Sequence, residues 1–215
     1  MPILIIGKSG SGKSASLRNF EDNEVGIINV LGKPLPFKNS LKTFTTDNYN
    51  MVKSALYKSA TNTLVIDDAG YLITNTFMRD RNNAGAGNGV FAFYDSIANE
   101  FWGLIEFIKS LPEEKIVYLM MHEDKNDFGD IKPKTIGKVL DDKVCLEGLF
   151  TIVLRAVKES DNHLFLTKSR GMDVSKTPIG LFDAPEIDND LAMVDRTIRD
   201  YYNLGGYTND NSKTA

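Results

Sequence analysis

The chain has 215 residues, 42% of them hydrophobic and 25% charged, with a net charge of −4. That length supports one large domain with a substantial core; the acidic balance excludes a strongly basic, nucleic-acid-coating body, and no apolar run reaches the length of a membrane span. The only cysteine, Cys145, excludes an intramolecular disulfide, argues against a cysteine-based zinc site and reads as a core residue; with no basic segment and cleavage site at the start, the expected compartment is the cytoplasm.

Taken in chain order, residues 3–6 (ILII) form a buried strand that ends in the loop GKSGSGKS. Gly7, four further residues and then Gly12-Lys13-Ser14 match the pattern G-x-x-x-x-G-K-[ST]. Glycines let consecutive backbone N–H groups converge on an anion, and a helix over residues 14–20 would add the positive end of its dipole. In this pattern Lys13 reaches the β- and γ-phosphates of a nucleotide and the Ser14 hydroxyl ligates Mg²⁺. The nucleotide-binding candidates are therefore Gly7, Lys8, Ser9, Gly10, Ser11, Gly12, Lys13, Ser14 and Ala15.

A second strand is expected over residues 25–30, then a helix capped by Thr46 or Asp47 and running to about residue 60, with Val52, Leu56 and Tyr57 as its apolar stripe. Residues 63–67 (TLVID) are apolar up to their last position, as in a central parallel strand. A long helix over 90–111 carries Phe91, Tyr94, Ile97, Phe101, Leu104, Ile105 and Ile108 on one side. A fourth strand covers 116–121, and residues 150–157 and 163–167 read as an antiparallel pair. A last helix spans 190–203. Strand–helix alternation around a parallel sheet places the chain in the α/β class, with its ligand site at the carboxyl ends of the strands. One domain over 1–204 and a frayed tail over 205–215 are expected.

Asp67 and Asp68 end the third strand, where a carboxylate can order Mg²⁺ through water beside Ser14. Asp67 takes that role, leaving Asp68 as the candidate base or orienter for an attacking water. His122, ending the fourth strand, is placed to sense the γ-phosphate. Residues 78–89 and 124–138 read as long loops. The second carries Lys125, Lys132, Lys134 and Lys138 around Phe128 and Ile131, a combination suited to single-stranded nucleic acid, although Asp124, Asp127 and Asp130 are interleaved with the lysines.

The stretches GKSGSGKS, LVIDDAG, MHED, KPKTIGKVLDDK, LFTIVLRAV and FLTKSRGMDVSKTPIGLF together resemble the bacteriophage RecA-like P-loop ATPases, over roughly residues 1–183. The resemblance implies a RecA-like core using ATP and Mg²⁺, a homo-oligomeric ring or filament, single-stranded DNA as partner in recombination or annealing, and contacts with replication or recombination proteins. It also implies a basic finger that reaches a neighbour's γ-phosphate; Lys176 is the candidate, with Lys168 or Arg170 as substitutes. No glutamate follows the second strand, where RecA keeps its base, so Asp68 is the substitute.

Other readings stay open on the residues alone. Asp67 to Gly70 and Asp124 to Asp127 mimic GTPase motifs. Arg79 and Arg81 could form the lid of a small-molecule kinase. A nucleotide-gated interaction module would bind ATP with little hydrolysis. Lys8 occupies the place of a cross-dimer lysine seen in ParA/MinD-type loops, yet one glycine of that pattern is missing, and a surface lysine at the mouth of an anion site is the simpler reading.

Overall fold

The computed structural model describes residues 1–83, 88–136 and 145–206. The described strands are β1 (Pro2–Gly7), β2 (Val25–Asn29), β3 (Thr43–Thr45), β4 (Thr63–Asp67), β5 (Ile116–Lys125), β6 (Ile131–Pro133), β7 (Val153–Glu159), β8 (Asn162–Leu166) and β9 (Glu186–Asp188). They form one sheet in the order β3-β2-β4-β5-β1-β7-β8-β9, with β6 paired to the far end of β5. From β3 across to β7 every pairing is parallel, whereas β8, β9 and β6 add antiparallel edges. This is the mainly parallel α/β sheet with an antiparallel extension expected of a RecA-like P-loop core.

Both faces are covered, which is why the central strands are apolar without alternation. On one face, Leu4 and Ile6 of β1 join Ile66, Leu119 and Met121 beneath α1 (Tyr49–Lys58), α2 (Gly70–Asp80) and α3 (Asn88–Lys109). On the other, Ile3 and Ile5 meet Leu17, Phe20 and the apolar side of α4 (Leu191–Tyr202). Helix α1 is capped by the Asn48 side chain, which accepts from the Asn50 and Met51 N–H groups, and α4 by Asp190 in the same way. Helix α4 ends where Asn203 turns left-handed at φ 54°.

Several expectations from the residues need correction. The helix after the phosphate loop is a six-residue 3-10 helix, Ser14–Asn19, because Phe20 already returns to extended backbone. It is too short to supply much dipole, so the loop itself carries the anion-binding capacity. Tyr57 is 69% exposed: the buried stripe of α1 is Tyr49, Val52 and Leu56, and Tyr57 lies one position round from it. Phe91 is likewise on the outside of α3, and Cys145 is exposed rather than in the core. The supposed loop at 78–89 begins inside α2 and a further 3-10 turn, Arg81–Asn83; residues 84–87 lie outside the described residues. The supposed loop at 124–138 is largely a β-hairpin, since β5 runs on through Lys125 and β6 returns antiparallel to it; Lys138 lies outside the described residues. β3, α2 and β9 had no counterpart among the expected elements. The carbonyls of Gly205 and Gly206 accept bonds from Arg199 and Asn62, so the first residues of the expected tail are tied to the body.

One buried polar network pins α4 to the sheet. Asp195 is fully buried and accepts from Thr63 Oγ1 at 2.8 Å, Tyr118 Oη at 2.8 Å and Arg199 Nε at 2.7 Å. Arg199 also donates to the Glu114 carbonyl at 3.0 Å and to Thr63 Oγ1 at 2.8 Å. Removing one partner of such a pair strands the other charge away from water. Asp195→Ala should therefore destabilise the fold by about 3–5 kcal/mol, read as a lower urea midpoint at unchanged slope. A shift under about 1 kcal/mol would show that the pair behaves as a surface ion pair.

Candidate nucleotide-binding site

The sheet order brings three strand ends together. β5 lies between β1 and β4, with Gly7 level with His122 and with Ile66 level with Leu119. The chain leaves β1 towards β2 on one side and returns to β7 on the other, so the phosphate loop opens at the point where the strand order reverses, the usual place for a ligand crevice. A cleft of about 360 Å³ lies there, lined by Gly10, Gly12, Lys13, Ser14, Lys33, Asp68, His122 and His163 among others.

Two glycines of the loop are required by space and backbone. A side chain on Gly7 would run into the Ala156 carbonyl oxygen at 2.6 Å. Gly12 has φ 101°, and its missing Cβ is the place where His163 and Asn189 of the antiparallel extension close on the loop, at 2.8 and 3.0 Å. Lys13 is folded back, donating to the carbonyls of Gly7 at 2.7 Å and Lys8 at 2.9 Å. Burial lowers its pKa, against the pull of Asp68 and Asp67. Ser9 and Gly10 line the cleft and Ala15 closes it, while Lys8 is exposed and borders a separate groove with Arg155 and Lys158. Ser11 Oγ, His163 Nδ1 and both amide atoms of Asn189 are buried without a hydrogen-bond partner around this loop.

Ser14 Oγ donates to Asp67 Oδ1 at 2.9 Å. Asp67 is 5% exposed, and its pKa is raised first by burial and then by the neighbouring Asp68 charge. A buried carboxylate with a hydroxyl beside it fits Mg²⁺, which takes one or two protein oxygens and keeps waters or phosphate oxygens for the rest. Among the described residues no cluster of three His, Cys, Asp or Glu side chains forms another metal site.

Asp68 has φ 59°, a left-handed value that is strained for a residue with a Cβ and concentrates at functional sites. Its carboxylate meets Lys33 Nζ at 2.9 Å and His122 Nε2 at 3.6 Å. His122 packs edge-on against Tyr71, with ring centroids 5.9 Å apart. Burial, then Lys13, lowers the His122 pKa, so the imidazole is neutral at pH 7. Lys13, Ser14, Asp67, Asp68 and His122 are thus brought together. Local pattern does not single out Lys33 or Tyr71; the one signal for Lys33 is its place in a Gly-Lys-Pro turn just past a strand end.

Other candidates lie elsewhere. Lys176 is exposed, and its backbone pairs with Val153, which is level with Leu4. That is three residues, roughly 10 Å, back along the sheet from Gly7, so the chain does not bring Lys176 to its own phosphate loop. Lys168 is exposed, and Arg170 is held by Glu159 at 2.7 Å and Glu186 at 2.6 Å. Arg79 pairs with Asp47 at 3.0 Å, and the cleft it borders is not the phosphate cleft, so it forms no lid there. Asn126, in the GTPase-like run, is used by the hairpin turn, where its Oδ1 accepts from the Phe128 and Asp130 N–H groups.

Comparison with known families agrees with this arrangement: the AAA domain family AAA_24 matches residues 1–179. The chain belongs to that family. An AAA domain is a P-loop ATPase domain, which accounts for the loop, the strand-end acids and the sheet. Among solved structures, a similar one is an ATPase from the type III secretion system of pathogenic bacteria, 12% identical with a TM-score of 0.40. The match covers 73% of this chain and 51% of that one, so the chain spans about half the length of that protein. No curated protein matches the chain. The family assignment is to AAA domains in general; nothing in these comparisons is specific to phage RecA-like proteins. Among the described residues no helix is long and apolar enough to cross a membrane.

The raised Asp67 pKa has a definite sign. The folded, nucleotide-free chain holds this proton more tightly than the unfolded chain, so stability falls as pH rises from the ordinary carboxylate range through the folded pKa. Asp67→Asn removes that cost: the nucleotide-free Tm at pH 7 should rise, while any stabilisation by Mg²⁺ with ATP is lost. A lower Tm in the variant would show that the ionised carboxylate is net stabilising.

Proposed function

We propose that this AAA domain is a magnesium-dependent ATPase whose nucleotide state is relayed along β5 to a hairpin that binds single-stranded DNA, in recombination or annealing. The observation that carries the reading is the continuity of β5. One strand holds His122 level with Gly7 and runs on to Lys125, where the β5–β6 hairpin exposes 87% of Phe128. The Lys134 N–H donates to the His122 carbonyl at 2.7 Å, so both ends of the hairpin are tied to the sensor position. Phe128 offers a stacking surface, and Lys125, Lys132 and Lys134 supply cations for a phosphate backbone.

In this mechanism Lys13 leaves the Gly7 and Lys8 carbonyls for the β- and γ-phosphates. Ser14 and Asp67 would hold the magnesium, which would supply charge neutralisation of the phosphates. Asp68 orients a water and accepts its proton as the water oxygen bonds to the γ-phosphorus. The bond from that phosphorus to the β–γ bridging oxygen breaks, and its electron pair leaves with ADP. Neutral His122 has one N–H to offer the γ-phosphate and loses that acceptor once phosphate departs. The same reading assigns Lys176 to a neighbouring copy's site in a ring or filament, because it lies away from its own. A nucleotide-gated module with little turnover is the second reading, favoured by the engagement of Asp68 with Lys33.

The test is ATP turnover with and without single-stranded DNA, using Lys13→Ala as the blank. Turnover should rise with DNA and fall by at least about 100-fold in the blank. Phe128→Ala should weaken DNA binding about 5- to 150-fold, the value of one stacked base, without changing DNA-free turnover. Turnover indifferent to DNA would set the DNA reading aside, and tight ATP binding with negligible turnover would favour the gated module.

A further inference from the structure

We infer that Lys33 is a γ-phosphate-binding cation supplied from within the chain, with Asp68 holding its place while no triphosphate is bound. This rests on the ATPase reading above and adds a residue that the phosphate-loop pattern does not contain.

The backbone under Lys33 is built for a fixed position. Asn29, 4% exposed at the end of β2, accepts from the Gly32 N–H at 2.8 Å and donates to the Lys33 carbonyl at 2.6 Å. Asn29 is level with Asp67 across the β2–β4 pairing, so this staple sets the turn beside the strand-end acids. Gly32 takes φ 66° to complete the turn. The side chain, by contrast, is 60% exposed and carries its charge on a flexible stem, able to exchange one anion for another.

Its charge is aimed at the place where the γ-phosphate would sit. Nζ is 2.9 Å from Asp68 Oδ2 and 5.9 Å from the Tyr71 ring centre. Lys33 lines the phosphate cleft with Gly10, Gly12, Lys13 and Ser14, and also lines a second cleft of about 380 Å³ with Gly70, Tyr71, Thr74 and Lys134. Ser9 and His122 are the other residues common to both, so Lys33 stands where the two clefts meet. A triphosphate stays net negative even with magnesium bound, and against the charges of Asp67 and Asp68 the single cation of Lys13 does not offset it. Moving Lys33 from Asp68 to the γ-phosphate oxygens neutralises the ligand and frees the Asp68 carboxylate. Asp68 then accepts the proton of the attacking water, and the Lys33 charge stabilises the oxygens of the transferring phosphoryl group as the bond to ADP breaks. The Lys33–Asp68 pair is thus an ion pair that a nucleotide with a γ-phosphate would break and one without it would leave in place.

The experiment compares wild type, Lys33→Ala, Lys33→Arg and Asp68→Asn for ADP affinity, affinity for ATP or a non-hydrolysable analogue, and kcat. Lys33→Ala should lower kcat about 100- to 1,000-fold, as loss of one transition-state donor does. It should cut the preference for ATP over ADP about tenfold, the size of one lost charge contact, and leave ADP affinity within about twofold. Lys33→Arg should recover part of kcat. Asp68→Asn should lower kcat while keeping or raising the preference for ATP, because the lysine is released early. An unchanged ATP-to-ADP ratio in Lys33→Ala overturns the proposal, even where kcat falls, since Lys33 would then act only by holding Asp68. If wild type binds neither nucleotide, the ATPase reading itself fails. Matching Tm values for Lys33→Ala and Lys33→Arg exclude misfolding as the cause of a fall.

Discussion

The parallel pairing that holds β5 between β1 and β4 is the constraint on which the rest of this site depends. It sets Gly7 beside His122 and carries the Asp67–Asp68 corner to the same edge of the sheet. Parallel strands of this kind need burial on both faces, which the two apolar layers provide. A one-residue slip of β5 would turn its side chains to the opposite face and move His122 away from the cleft. The geometry of the candidate site is therefore a by-product of core packing, and core packing is what makes it rigid.

Within that frame the electrostatics are strained in a consistent direction. Two adjacent carboxylates end β4, one of them nearly without solvent, and the Lys13 amino group turns back onto loop carbonyls. Burial raises the proton affinity of Asp67 and lowers that of Lys13, so both groups carry a cost that a metal ion and a phosphate would remove. Asp68 relieves its own charge against Lys33, at the expense of a left-handed backbone. Charges held at such a cost gain affinity for the ligand that relieves it.

The proposed relay and the proposed switch differ in mechanical character. The β5–β6 hairpin is a direct extension of a central strand, so a displacement at His122 has a stiff path to Phe128. Lys33 sits on a stapled turn with a loose side chain and can respond without moving the sheet. A rigid lever and a flexible charge placed on the same γ-phosphate position would report the same event in two ways, one to a macromolecular partner and one to the chemistry.

Much of this was legible from residue order alone. The phosphate loop, the strand before it, the paired acids at 67 and 68 and the apolar central strands follow from local pattern, because spacing fixes which backbone and side-chain groups can converge within one turn. The antiparallel β7–β8 pair was legible too, through its apolar runs and the polar turn between them. Other features had no local signature. Lys33 lies far from the acids in sequence, and only the β2–β4 pairing sets it beside Asp68. The Asp195–Arg199 network joins α4 to β4 and β5 through contacts more than 70 residues apart. The hairpin at 124–134 was hidden because its strand halves are short and charged, and only the continuation of the buried β5 makes them pair. Sequence determined the chemistry at the phosphate loop, where neighbours in space are neighbours in the chain; tertiary structure decided which distant charges face it, since side-chain partners across a sheet are chosen by strand order and register.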